Sequence, residues 1–442
     1  MKKASLSRRT FLGGAASAGA ALAVGLPRSA AAEKPAADAS VTAVSAPGTD
    51  WPRWAANDEQ ALLDVLRSGK WGRTATRNGR VMEFEAAFAK RMQAKYCVAT
   101  SSGTTALLTA LGALNIGPGD EVILPPYTFV ATFNAITANF ALPVFVDTDP
   151  ASFQIDASKI AAAITPATKL LLPVHIAGTP CDLDAVLEIS KARNVPLLED
   201  ACQAPLAEWR GQPVGTQGIG GCFSFQASKN LTSGEGGAVL TNDEAFANLC
   251  YNHHTPGNGK PGPISGRSAN FRLTEFQGAL LLAQMSRLEE QAKLRDANAA
   301  HLTALLQQIP GIAPAALPKG TTRSAYHLYM FRYDKTKFAG LPRARFLQEL
   351  TKAGVASSSG YTSLNTSPHV KALAANPHYQ RIYGKTTMER WLERNACPAN
   401  DRVVEEAVWF GQNRLLVARS EIERVAQVIA DLQKRAGDLA RV

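Results

Sequence analysis

Apolar and polar positions along the chain first trace helices. Residues 58–68 carry a helical repeat that Gly69 ends, and residues 81–94 carry a second one. From Tyr96 the pattern changes to short, nearly continuous apolar runs: YCVAT (96–100), EVILP (121–125), PVFVD (143–147), KLLLPV (169–174), VPLLED (195–200), CFSF (222–225) and GAVLT (237–241). Helical stretches such as TTALLTALGAL and DLDAVLEISKARN separate many of them. Strands that are apolar on both faces and alternate with helices predict an α/β fold with a mostly parallel, seven-stranded sheet covered on both sides. The last two runs are too close for a helical crossover, so one antiparallel strand is expected there. A long helix is predicted over 274–308. Beyond Pro310, YHLYMFRYD reads as a strand, PRARFLQELTKAG as a helix stopped by Gly354, and SEIERVAQVIADLQKRAG as a final helix begun by Ser420. The expected organisation is a large domain over 76–315 and a smaller α+β domain over 316–442, preceded by an arm and helix over 33–75.

The first 32 residues stand apart. They have a basic start, an apolar stretch rich in Ala and Gly, and Ala30-Ala31-Ala32 as a cleavage site. Arg8-Arg9 within Ser7–Leu12 reads as a twin-arginine export signal, so a periplasmic or otherwise extracytoplasmic mature protein is expected, with no membrane span after cleavage. Removing that segment takes away Lys2, Lys3, Arg8, Arg9 and Arg28, and the formal charge falls from +10 to +5. So mild an excess, without a basic stripe carrying aromatics, does not point to nucleic acid. The cysteines at 97, 181, 202, 222, 250 and 397 form no CxxC pair and suggest no disulfide framework, and the seven histidines show no metal spacing.

In open α/β sheets ligands collect at the carboxyl ends of the strands, and three groups fall there. Ser101-Ser102-Gly103-Thr104-Thr105 joins a strand to a helix, where it is either an ordinary N-cap or an anion site at the helix N-terminus. Glu199-Asp200 ends an apolar strand, and a carboxylate buried there needs a partner. Lys229 lies five residues after Ser224 and just before the glycine-rich SGEGG. A free lysine, with a pKa of about 10.4, is a poor nucleophile at neutral pH. Joined to an aldehyde it becomes an electrophile, and on release it is an amine base. Such a lysine needs a phosphate anchor, a carboxylate facing a pyridine nitrogen and an aromatic against the ring. Ser101–Thr105 with Ser224, Asp200 and Phe129 can meet these demands, which are those of pyridoxal 5'-phosphate.

The segments LPPYTFVATFNAI, PVHIAGTPCDLDAV, LLEDACQA, CFSFQASKNLTSGEGGAVLTND and ANFRLTEFQGALLLAQ, in this order over roughly 60–430, resemble the DegT/DnrJ/StrS family of sugar aminotransferases. The resemblance implies the aspartate-aminotransferase-like (type I) fold, with Lys229 holding the cofactor covalently and carrying the proton. It also implies that Asp200 pairs with the pyridine nitrogen, Gln203 contacts the ring hydroxyl, Gly103, Thr104 and Ser224 bind the phosphate, and Phe129 stacks on the ring. Asn270 would reach the cofactor of a neighbouring subunit, which implies a homodimer with shared sites. The implied reaction moves an amino group from glutamate or glutamine to a keto-sugar or keto-cyclitol. YHLYMFRYD and SSSGYTSLN resemble the branch that aminates cyclitol ketones with glutamine. Two departures stand out: Cys202 and Pro205 occupy positions where relatives commonly carry alanine and histidine. Lys229 is retained where some members use histidine and dehydrate instead. Another reaction of the same cofactor, or a non-catalytic cofactor-binding sensor, are the alternatives.

Overall fold

The computed structural model describes residues 50–75, 78–256, 259–263 and 266–441. The expected export signal and its expected cleavage site lie outside the described residues. Nine strands fall in the first part of the described chain: β1 (Tyr96–Thr100), β2 (Glu121–Leu124), β3 (Leu142–Phe145), β4 (Thr168–Leu171), β5 (Leu198–Asp200), β6 (Glu208–Trp209), β7 (Gln212–Pro213), β8 (Gly220–Ser224) and β9 (Gly237–Thr241). Two ladders, β1-β9-β8-β5 and β3-β2-β4, meet through the parallel bridges Leu171–Leu197 and Val174–Asp200. Seven strands therefore run in the order β1-β9-β8-β5-β4-β2-β3. β9 is antiparallel to both neighbours, while β5–β8, β2–β3 and β2–β4 pair in parallel. All seven predicted runs are present, and the closely spaced pair β8–β9 is the antiparallel one.

Every position of β2, β8 and β9 is buried because helices cover both faces. These are α1 (Ala56–Ser68), α2 (Arg80–Arg91), α3 (Gly103–Ala113), α4 (Val130–Ala138), α5 (Ala157–Ala163), α6 (Leu183–Arg193), α7 (Glu244–His254) and α8 (Glu275–Leu306). On one face Phe84 and Phe88 of α2 meet Phe223 and Phe225 edge to face, at centroid distances of 5.3–5.4 Å. Each such pair adds about 0.5–1.5 kcal/mol beyond the area it buries. On the other face, Leu107, Leu111, Phe133 and Ile136 pack onto Val122 and Leu124.

α8 begins with a reciprocal cap between Thr274 and Gln277. It then crosses to the C-terminal part, where Asn298 donates to the carbonyls of Leu415 and Val417 at 2.9 Å. That part contains β10 (Ile312–Pro314), β11 (Thr321–Arg323), β12 (Leu328–Tyr333) and β13 (Ala407–Gly411). The antiparallel sheet β10-β12-β13 is covered by α9 (Arg343–Lys352) around Phe331, Phe338, Phe346 and Phe410, and β11 pairs instead with β6. Three further helices, α10 (Pro368–Ala375), α11 (Pro377–Tyr383) and α12 (Lys385–Arg394), return to the large sheet. There Tyr379 donates to Thr137 and Ala141 carbonyls, and Trp391 Nε1 donates to the Pro143 carbonyl. α13 (Pro398–Glu406) and α14 (Arg419–Lys434) complete the principal elements. No helix of the described residues is long and apolar enough to cross a membrane. All six cysteines are free.

Three buried histidines give the fold a pH dependence. Burial, with Arg267 nearby, lowers the pKa of His253 to about 4. Burial, with Arg73, lowers that of His254 to about 3. His327 is also held well below the usual histidine range, by burial and then by Lys229 and Arg295. Below about pH 6.5 the unfolded chain binds protons that the native chain refuses, so stability is full above that value and declines as pH falls. The expected slope is about 1.4 kcal/mol per pH unit for each histidine between pH 6 and 4.5. Denaturant midpoints measured across that range check it, and a flat profile contradicts it.

Candidate active site

A cavity of about 950 Å³ opens at the carboxyl ends of β5 and β8, beside the N-terminus of α3. Gly103, Thr104, Phe129, Asp200, Gln203, Ser224 and Lys229 all line it. Asn270 does not; it is exposed, and its Oδ1 accepts from the amide of Arg272 at 3.4 Å.

Asp200 sits at the last position of β5 and is 3% exposed. Its Oδ2 accepts from Thr132 Oγ1 at 2.8 Å and its Oδ1 from the Cys202 amide at 3.2 Å, which fix the carboxylate toward the cavity. The adjacent Glu199 has a different task. Burial alone would raise its pKa, but His175 Nε2 at 2.9 Å and the amides of Gly215 and Gln217 hold it below the usual carboxylate range. Because the Cys181 amide donates to His175 Nδ1, the ring proton lies on Nε2 and this pair is a closed structural contact.

Gln203 spends its Oε1 on the Ala177 amide at 2.8 Å and donates Nε2 to the Tyr361 hydroxyl at 2.9 Å. Burial raises the Tyr361 pKa to about 12, so the phenol stays protonated. Phe129 is the N-cap residue of α4 and stands 55% exposed, its ring 6.5 Å from that of Tyr361.

The hydroxyls of 101–105 divide between two tasks. Ser102 Oγ accepts from the Thr105 amide, and Thr105 Oγ1 receives the Ser102 amide, so this pair caps α3. Ser101 and Thr105 do not line the cavity, whereas Ser102, Gly103 and Thr104 do. The loop is thus both a cap and an exposed helix N-terminus, and its anion-facing part is narrower than 101–105. A Cβ on Gly103 would stand 2.6 Å from Ser224 Cβ and 3.0 Å from Cys202 Sγ. Only glycine lets the helix N-terminus and Ser224 close on one phosphate-sized group.

Lys229 follows a turn in which its amide donates to the Gln226 carbonyl at 2.8 Å. Burial lowers the amine's pKa, and Asp200 and Cys202 only partly offset this. Its Nζ lies 3.5 Å from His327 Nε2. His327 is 6% exposed, and its Nδ1 has no partner among the described residues. A neutral imidazole here can accept a hydrogen from the amine. Burial likewise keeps the Cys202 thiol protonated.

His327, Tyr361, Trp51, Trp409 and Gln412 line the cavity and were missed as site residues from sequence. His327 heads a strand whose alternation reads as plain β structure. Tyr361 lies in SSSGYTSLN, whose spacing carries no mark of a site. The residues together suit pyridoxal phosphate: an amine, a fixed carboxylate, an open aromatic face and a glycine-bounded helix N-terminus around one space.

Residues 52–404 match the DegT/DnrJ/EryC1/StrS aminotransferase family. The chain is 35% identical to the L-glutamine:scyllo-inosose aminotransferase of Streptomyces griseus, over 89% of this chain and 96% of that one. It is 33% identical to the 3-amino-5-hydroxybenzoate synthase of Amycolatopsis mediterranei, over 87% and 97%. A crystal structure of 3-amino-5-hydroxybenzoic acid synthase superposes with a TM-score of 0.76 at 32% identity, covering 87% of this chain and 98% of that one. The structure of S. venezuelae DesV in complex with a ketimine intermediate gives 0.73 at 30% identity, covering 86% and 95%. With its sheet order, its lysine-centred cavity and these matches together, the chain is an aminotransferase and belongs to the DegT/DnrJ/EryC1/StrS aminotransferase family.

Proposed function

We propose that the chain uses pyridoxal phosphate to move the amino group of L-glutamine onto the ring ketone of a keto-cyclitol. The observation that carries the reading is the convergence of Lys229, Asp200 and the Gly103–Ser224 cradle on one cavity. The acceptor and donor classes are supported by the names of full-length relatives, among them the L-glutamine:scyllo-inosose and L-glutamine:2-deoxy-scyllo-inosose aminotransferases. Walls formed by Trp51, Tyr361 and Trp409 suit the C–H faces of a polyhydroxylated ring.

When bound, pyridoxal phosphate supplies the aldehyde that takes up the amino group and a ring that withdraws electrons from the reacting carbon. The remaining work falls to the chain. Backbone amides at Gly103 and Thr104, with Ser224, hold the phosphate. Phe129 would cover one ring face, and Gln203, bonded to Tyr361, would bind the ring hydroxyl. The Asp200 carboxylate keeps the pyridine nitrogen protonated, since an opposite charge favours the charged form. Lys229 holds the cofactor and, once released, takes a proton from the substrate carbon at Nζ and returns it to the cofactor side. Its burial keeps the amine readily deprotonated, and His327 Nε2 accepts one N–H and so aims the lone pair.

Asn270, which does not line its own chain's cavity, is assigned to the partner's phosphate in a homodimer; full activity in a monomer on sedimentation contradicts this. Export of the folded, cofactor-loaded protein through Arg8-Arg9 belongs to the same proposal. Replacing both arginines by lysine should trap active precursor inside the cell, and normal export of that variant refutes it.

The function is tested by incubating purified protein with glutamine labelled with ¹⁵N at the α-amino group and a panel of keto-cyclitols and keto-sugars. Mass spectrometry should find ¹⁵N in an amino-cyclitol. Label only in keto-sugar products changes the acceptor, and dehydrated or isomerised products without label refute transamination.

A further inference from the structure

Arg295, in the middle of α8, is 0% exposed and has no carboxylate in ion-pair range among the described residues. Its sequence neighbour Asp296 is paired instead with Arg323 at 3.4 Å. An arginine buried in this way needs another source of compensation. Two of its N–H groups, Nε and Nη2, donate to a single acceptor, Gln412 Oε1, at 2.9 and 2.5 Å. Its guanidinium carbon lies 5.5 Å from the ring centroid of Trp51. Nη1 is buried without a partner. Both contacts, Gln412 and Trp51, line the active-site cavity.

This arrangement settles the orientation of the Gln412 amide. Two cationic donors demand the oxygen, so the NH2 group must point the other way. That NH2 has no hydrogen-bond partner among the described residues, and the side chain is 2% exposed. A donor at the cavity wall that is backed by a buried positive charge favours an anionic oxygen. The cavity's own acids do not meet that demand: Asp200 is bonded to Thr132 and Cys202, and Glu235 is an exposed residue of the glycine-rich loop.

We infer that Gln412, oriented by Arg295, is the recognition point for the α-carboxylate of the amino donor. This rests on the aminotransferase reading above and adds the group that distinguishes an amino acid from the neutral acceptor sharing the same cavity. Arg295 acts only through Gln412 and is a positioning residue.

The test compares L-glutamine with 4-aminobutanamide, which is glutamine without its carboxylate, in the absorbance change of the cofactor-loaded protein. Gln412→Leu should raise the KM for glutamine about tenfold or more, as expected for a lost hydrogen bond to a charged group. Any loss on 4-aminobutanamide, or on keto-cyclitol with the aminated protein, should be several-fold smaller than the loss on glutamine. Gln412→Glu keeps the side-chain volume and the contact to Arg295 but removes the NH2, and should lose more; its unchanged melting temperature guards against misfolding. Equal losses on both amines, or no loss on glutamine, overturn the assignment while leaving the transaminase reading intact. A wild-type protein that reacts with keto-cyclitols in neither direction and with no amino acid overturns both.

Discussion

Lys229→Ala is expected to cut transamination by at least about 10²–10⁴-fold, the range a positioned acid–base group contributes. The loss exceeds that of any other single change because one side chain both holds the cofactor and moves the proton. Lys229→Arg separates charge from chemistry. Arginine preserves the cation but stays protonated throughout the accessible pH range, so it can neither attack the cofactor aldehyde nor accept the proton. Both variants should therefore be equally inactive. Lys229→Ala should melt close to cofactor-free wild type, since burial disfavours the charged amine and its removal leaves no ion pair broken, whereas Lys229→Arg places a permanent charge at the same buried point and should melt lower. Single-turnover absorbance with glutamine checks this, and an arginine variant with activity near wild type contradicts the assigned role.

The second large effect belongs to Asp200→Asn. The amide can still bond Thr132, so the cofactor should bind, but the opposite charge is gone. Loss of a facing charge moves the partner's pKa by about 1–3 units, so the pyridine nitrogen should lose its proton near neutral pH. Turnover should fall about 10- to 1,000-fold, most severely at high pH, with partial recovery as pH is lowered. Cofactor content measured after dialysis, together with the pH–rate profile, tests both halves. An unchanged rate removes Asp200 from the chemistry.

Much of this site is legible in the order of residues. Asp200, Gln203, Ser224 and Lys229 lie within thirty positions, on strand ends that the apolar runs mark, and Gly103 follows the first strand of the series. The seven-stranded sheet is legible for the same reason: strands buried on both faces are written as unbroken apolar runs. What escapes is contributed from afar. His327 lies 98 positions from the lysine it touches, and Gln412 lies 117 positions from the arginine that orients it. Strand periodicity tells which face His327 shares but not what stands opposite. Ser101 and Thr105 show the converse. Their hydroxyl chemistry suits an anion, yet the helix cap engages Thr105 and neither residue lines the cavity. Local hydrogen bonds of serine and threonine compete with ligands in ways that spacing does not reveal.

The most direct measurement is the position of the covalent link. Borohydride treatment of the purified, cofactor-loaded protein, followed by proteolysis and mass spectrometry, fixes the cofactor to whichever amine holds it. The account predicts a pyridoxyl group on Lys229 and on no other residue. A label on a different lysine, or a protein that carries none, contradicts it.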